Sequence, residues 1–451
     1  MKILVIAFIL SSACFASNDL SHRPRSFSTP RGTAVFVDFQ EAVYQINYDL
    51  SKKTASVMAD IKFFAPEAGL PVFDSVASPM SVFLNEQETS SFLVSTPQNE
   101  TEVRVVNKAV TEGHHRLTVV VPLTALLDFN SDGVKSAFWT SDLRGRSYLE
   151  RFMPANFEYD QVKMTFIVRF FGAKTKQKIY TNGEVQAKEQ NTFVISFPST
   201  YNASSVFFHT VPENSVEELR FSLRSIDGRN LPAVVYTQKS LFGSGGSLQK
   251  FKEATAAIIS ELESDYGAFP HPSITIYNAG TGGMEYCGAT ITEFRALGHE
   301  LFHSYFARGV MPANGNAGWL DEALASWRDD GYPSLASLEG SSRLSAHPYY
   351  TRQTDFNAYS FGKRFMSYLN GKLQAKGGLK PFLRQMVERR SFAPLFVEEF
   401  ISEMGDFYAL PLDNEFRKYT YGQRNNFVVL EEEDHHPIHR KMSLEELFQY
   451  L

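Results

Sequence analysis

The sequence predicts an α+β fold, with an N-terminal antiparallel β-sandwich or saddle followed by an α/β domain. Three observations carry this. From about residue 33 to 230, apolar residues recur with a period of two, the spacing that turns one face of a strand inward. Beyond about residue 235 the apolar period becomes helical. The chain has 451 residues, 43% hydrophobic and 21% charged, enough for two or three cores and too apolar for a disordered tail.

Taken in order, the chain opens on a signal-peptide pattern. Lys2 supplies the charge, Ile3 to Leu10 the apolar stretch, and Ser11 to Ala16 the small residues before a cut ahead of Ser17. The expectation is export to a periplasmic or extracellular space. A cut before Cys14 would leave a lipid anchor instead, though Ser11 stands where that signal prefers Leu. With Cys14 removed, only Cys287 remains, so no intramolecular disulfide forms. Residues 17–32 read as a linker and 33–232 as the β-domain.

Within that domain Tyr44, Ile46, Tyr48 and Leu50 alternate with polar residues. So do Val57, Ala59, Ile61 and Phe63, then Met164, Phe166, Val168 and Phe170, then Phe193, Ile195 and Phe197. Asp128 to Gly133 imitates the start of a calcium loop, but Trp139 stands where the bidentate Glu belongs, so a hairpin turn is expected.

The second domain is expected over 233–430. Ser247 caps a helix to Tyr266, with Leu248, Phe251, Ile258, Leu262 and Tyr266 on one stripe and Gly267 as the stop. Ser273 to Tyr277 is a short strand. A helix capped by Thr290, with Glu293 completing the box and Gly309 ending it, carries His299-Glu300-Leu301-Phe302-His303. Phe294, Leu297, Leu301 and Tyr305 are its core face. Residues 431–451 read as a solvated acidic loop, broken by Pro437, and a short helix opened by Ser443 and Glu446.

Lys plus Arg number 44 and Asp plus Glu 50, a formal charge of −6, which excludes a basic nucleic-acid footprint. No run beyond the first ten residues is long and apolar enough to span a bilayer. The chemistry lies in the H-E-x-x-H segment. Histidines four apart on a helix face one way and can share a metal ion, with the intervening Glu300 as general base. A catalytic zinc wants three protein ligands, and 303 + 19 = 322 is Glu, in a second helical segment, Trp319 to Trp327, stopped by Gly331. One Zn2+ per chain, held by His299, His303 and Glu322, is the expectation.

These residues resemble the gluzincin aminopeptidases, the aminopeptidase N and leukotriene-A-hydrolase family. Gly283-Met284-Glu285-Tyr286 is similar to that family's G-x-M-E-N, and Tyr359-Ser360-Phe361-Gly362 to its Y-x-K-G helix. Arg151 to Pro154 with Phe157-Glu158 is similar to the end of its β-domain. The resemblance implies a thermolysin-like zinc peptidase domain that acts on peptide or protein substrates. Glu285 would hold the substrate's α-amino group, and Gly282, Gly283 and Met284 would pair with its backbone as an added strand. Tyr359 would donate to the oxyanion. Tyr349 and Tyr350 are alternatives, since 359 − 322 = 37 is a short interval for the family.

Three departures stand out. Tyr286 replaces the family's Asn. The β-domain residue that also grips the amino group falls at 154 − 9 = 145, a Gly, with Glu150 or Asp142 as substitutes. Only 451 − 404 = 47 residues follow the Phe396–Met404 helical segment, so this is expected to be a compact member without the large C-terminal helical domain. Removal of N-terminal residues is the leading activity. An open-cleft endopeptidase and an inactive peptide-binding homologue are the alternatives.

Overall fold

A computed structural model describes residues 20–97, 101–131, 133–142, 147–189, 191–239, 247–313, 315–350 and 353–422. The signal peptide, Cys14, the Gly-rich stretch before Ser247 and the acidic C-terminal run lie outside these residues.

Strands Asp38–Asp49 and Thr54–Ala65 form the centre of an eight-stranded sheet. The alternation read from the sequence holds there: Tyr44, Ile46, Tyr48, Val57, Ala59, Ile61 and Phe63 are all buried. The sheet is not purely antiparallel, because Asp38–Asp49 runs parallel to Lys163–Phe171. More than a hundred residues separate those strands, so no hairpin dictates their sense. A four-stranded and a five-stranded sheet complete the domain. The calcium-like stretch is the expected hairpin, with Phe129 opposite Val134 and Asn130 Oδ1 accepting the Gly133 N–H at 3.0 Å.

Two expected boundaries move. The linker 17–32 contains strand Phe27–Thr29, which pairs with Gly32–Phe36. The domain border at 232/233 would cut strand Asn230–Gln238. That strand and Val216–Arg224 belong to the second domain's sheet, in the order Val216–Arg224, Asn230–Gln238, Ile274–Asn278, Ala289–Thr292, Gly283–Tyr286.

This second sheet is covered on both faces. Ala233, Val235, Ile274 and Ile276 pack into the helical core, whereas Tyr236, Tyr277, Met284 and Tyr286 join the β-domain core. The helices are α1 (Leu248–Tyr266), α2 (Leu297–Phe302), α3 (Leu320–Asp329), α4 (Lys363–Lys372), α5 (Lys380–Arg390), α6 (Val397–Tyr408) and α7 (Asp413–Tyr419). Helix α1 begins and ends as read, with Ser247 Oγ accepting the Lys250 N–H at 3.2 Å and Gly267 at φ 97°. Helix α2 does not. Thr290 is the middle of a strand rather than an N-cap, the helix starts at Leu297, and Phe294 is 39% exposed. A Thr followed three residues later by Glu also describes a β-branched strand end, and here the sheet takes it.

Candidate active site

The edge strand Gly283–Tyr286 and helix α2 build one wall of the site. Successive strand residues face opposite ways. Met284 and Tyr286 therefore point into the β-domain core, where the Tyr286 hydroxyl accepts the Thr140 N–H at 3.0 Å. Gly283 and Glu285 take the other face, toward α2. Glu300 fills the space above Gly283: a Cβ on that glycine would lie 1.9 Å from Glu300 Oε1. Burial pushes the Glu300 carboxyl above its ordinary range; the two imidazoles oppose this and the Glu285 and Glu322 carboxylates add to it.

His299 and Glu322 meet across α2 and α3, with Nε2 3.0 Å from Glu322 Oε2, and His303 Nε2 is 3.5 Å from the same oxygen. The three side chains are at most 1% exposed. Their ligand atoms lie within 4.8 Å of one another. Two ligands about 2.1 Å from a tetrahedral zinc are about 3.4 Å apart, and 3.0 and 3.5 Å bracket that edge. His303 Nε2 has no hydrogen-bond partner among the described residues. The donor set fits zinc.

The Nδ1 contacts orient both imidazoles with Nε2 toward the ligand cluster. His299 Nδ1 is 2.6 Å from Asp329 Oδ2, and His303 Nδ1 donates to the Phe306 carbonyl at 3.1 Å, leaving each Nε2 for metal. Asp329 is itself held by Arg328, which reaches Glu261 on α1 at 2.8 Å. Sequence reading did not single out Asp329, yet 322 + 7 = 329 is two helical turns from Glu322, on the same face.

Tyr359 lies on a wide helical turn, Ala358–Gly362, that leads into α4. Its ring is 6.5 Å from the His299 ring, at 16° between planes. Gly362 brings this turn close to α3, since a Cβ there would meet Ala323 Cβ at 2.9 Å. The alternatives are occupied elsewhere: Tyr350 donates to the Arg25 carbonyl at 2.8 Å, and Tyr349 packs on Phe396.

Arg308, which the sequence reading passed over, enters beside Glu285. It is 5% exposed, and its Nη2 is 2.9 Å from Glu285 Oε1. Burial alone would lower the Arg308 pKa, but the Glu285 carboxylate outweighs it and the guanidinium stays charged. Of the two substitutes considered for the missing β-domain anchor, Asp142 lines a cavity with Arg308 and Asp321. Glu150 instead accepts the Tyr148 N–H at 2.9 Å.

An α+β chain with a helical His-Glu-His-Glu cluster under a sheet edge has the fold of the M1 zinc metallopeptidases. The structure is similar to the M1 zinc metallopeptidase of Deinococcus radiodurans, with TM-score 0.59 and 16% identity over 82% of this chain and 90% of that one. A mutant of that enzyme bound to a Tyr-Ser-Ala substrate gives TM-score 0.62 and 16% identity over 86% and 94%. Yeast LTA4 hydrolase gives 0.60 and 13% over 86% and 69%. Legionella pneumophila aminopeptidase A, in complex with aspartic acid, gives 0.62 and 12% over 87% and 50%. No family model and no curated protein matches the sequence. Among the described residues no helix is long and apolar enough to cross a membrane.

Proposed function

We propose that this chain is an exported zinc peptidase that removes residues from the amino terminus of peptides. The observation that carries the reading is the convergence of His299, His303 and Glu322 beside Glu300, under the edge strand Gly283–Tyr286. When bound, zinc supplies a Lewis acid that acidifies water and polarises a carbonyl.

The chain's own residues do the rest. Gly283 and Met284 present an edge to which a peptide adds as a strand, with Gly282 at φ 56° turning the backbone into it. Glu285 attracts the α-ammonium group. Glu300 takes a proton from the attacking water and passes it to the leaving amine. Tyr359 donates its hydroxyl to the oxyanion.

One observation favours a second reading. Glu285 Oε1 is already engaged by Arg308, which weakens its pull on an ammonium and suits an endopeptidase. Mass spectrometry of a peptide in free and N-acetylated forms decides. Stepwise loss of single N-terminal residues from the free form alone is the expected result; internal cuts in both forms would establish the endopeptidase.

A further inference from the structure

We infer that Arg308 is a positioning residue: it fixes the Glu285 carboxylate where the substrate's α-ammonium group docks, and it is anchored for this on the β-domain turn 202–205. This deepens the amino-terminal peptidase reading and rests on it. A strained backbone brings Arg308 to its place. Just past α2 the chain folds back, with the Arg308 N–H donating to the His303 carbonyl at 2.9 Å and the Val310 N–H to the Tyr305 carbonyl at 2.7 Å. Gly309 permits the closure, since a Cβ there would lie 2.6 Å from the Tyr305 carbonyl oxygen. Ala307 is held at φ 133°, a value that residues other than glycine rarely adopt and keep only where their surroundings over-determine it.

The side chain is held at both prongs. Nη1 donates to Ser204 Oγ at 2.6 Å, and Nη2 lies 2.9 Å from Glu285 Oε1. The Ser204 hydroxyl donates on to Asn202 Oδ1 at 2.9 Å, and Asn202 Nδ2 donates to the Glu158 carbonyl at 2.9 Å. Arg308, Glu285, Asn202 and Ser204 are all buried. A guanidinium presents its donors in a rigid plane, so fixing one prong fixes where the other takes a carboxylate oxygen. A lysine would bring a point charge without that fork.

The edge strand is tied to the same turn. The Ser205 carbonyl accepts the Cys287 N–H at 3.1 Å, and Asn182 Nδ2 donates to the Ser205 carbonyl at 2.7 Å and to the Cys287 carbonyl at 2.8 Å. Backbone and carboxylate of Glu285 are thus registered against one piece of the β-domain, the strand through Cys287 and the side chain through Arg308. The guanidinium offsets part of the Glu285 charge; what it contributes is place. Hydrogen bonds weaken steeply when donor and acceptor are misplaced, so selecting an ammonium depends on where the carboxylate stands.

The test uses the zinc-loaded full chain carrying Glu300→Gln, so that binding is read without turnover. Calorimetry compares Tyr-Ser-Ala with its N-acetylated form. The free peptide is expected to bind about tenfold or more tightly. Adding Arg308→Met should bring that ratio close to one with zinc still at one per chain, and Arg308→Lys should restore it in part. Damage that is merely structural weakens both peptides alike and leaves the ratio where it was, so an unchanged ratio overturns the inference. So does a raised one, since the guanidinium would then be competing with the ammonium for Glu285. Should Arg308→Met fail to fold or lose zinc, Ser204→Ala removes only the anchor of Nη1 and is expected to lower the ratio about threefold; no change overturns the inference. Equal binding of the two peptides with Arg308 in place overturns it as well, because Glu285 would then hold no ammonium. Failure of the peptidase reading shows separately, as a wild-type chain that cleaves neither peptide.

Discussion

Replacing Gly283 by Ala tests where the proton-transferring group sits. Gly283 does not have the positive φ of its neighbour Gly282, at 56°, so alanine meets no backbone penalty. The added Cβ instead meets Glu300, at 1.9 Å from Oε1, 2.5 Å from Cδ and 2.9 Å from Cγ. Real Cβ atoms essentially never approach closer than 3.0 Å. The carboxyl must then retreat by at least 3.0 − 1.9 = 1.1 Å. A displacement of about 1 Å from a reacting position costs on the order of 100-fold in rate, about 2.7 kcal/mol. The prediction is a kcat lower by about that factor, with zinc content and Tm close to wild type because a side chain swings and no backbone moves. Steady-state kinetics on a free tripeptide, with metal analysis and a thermal melt, reads all three. A variant within about threefold of wild-type kcat would refute the placement of Glu300 as the base.

Three further perturbations follow from the same geometry. Asp329→Ala removes the acceptor that fixes His299 at 2.6 Å and should weaken zinc binding by about 10- to 100-fold in chelator competition; unaltered affinity would mean that Asp329 does not orient the ligand. Tyr359→Phe should lower kcat about 100-fold or more with little change in KM, whereas an unaffected kcat would leave Tyr359 a packing residue. Burial would raise the Glu399 carboxyl, but His22 at 2.8 Å, the Phe396 N–H and Arg390 outweigh it and hold it at about 2. A depressed carboxylate stabilises the fold fully above its unfolded value and loses that stabilisation as pH falls toward the folded one. Glu399→Gln should therefore flatten the decline in stability between about pH 5 and 3, by about 1–2 kcal/mol after solvent screening. Urea unfolding across that range checks it, and an identical slope in both proteins would disprove the contribution.

Patterns that depend on local spacing were readable in the sequence; patterns that depend on which partner a segment meets were not. The H-E-x-x-H pair, Glu322 and the α1 stripe are set by helical periodicity, and the structure brings the three ligand residues together. The hairpin Val216–Arg224 and Asn230–Gln238 shares the period of two with the β-domain, so its membership of the second sheet could not be told by period. Thr290 fell to the strand because the sheet offered Ile276 as a partner, which no local motif records. Arg308 was invisible for another reason. Its place in the site arises from proximity to Glu285, 23 positions away in sequence, and it belongs to no motif with fixed spacing.

Whether zinc and Glu300 together cleave peptides is read by a metal-dependence time course on an unblocked tripeptide, comparing wild type with Glu300→Gln. Each protein is expected to bind one zinc; chelation should abolish wild-type cleavage and one equivalent of zinc restore it, while Glu300→Gln stays inert with its zinc in place. Wild type loaded with zinc yet cleaving no peptide, or Glu300→Gln cleaving as fast as wild type, would contradict it.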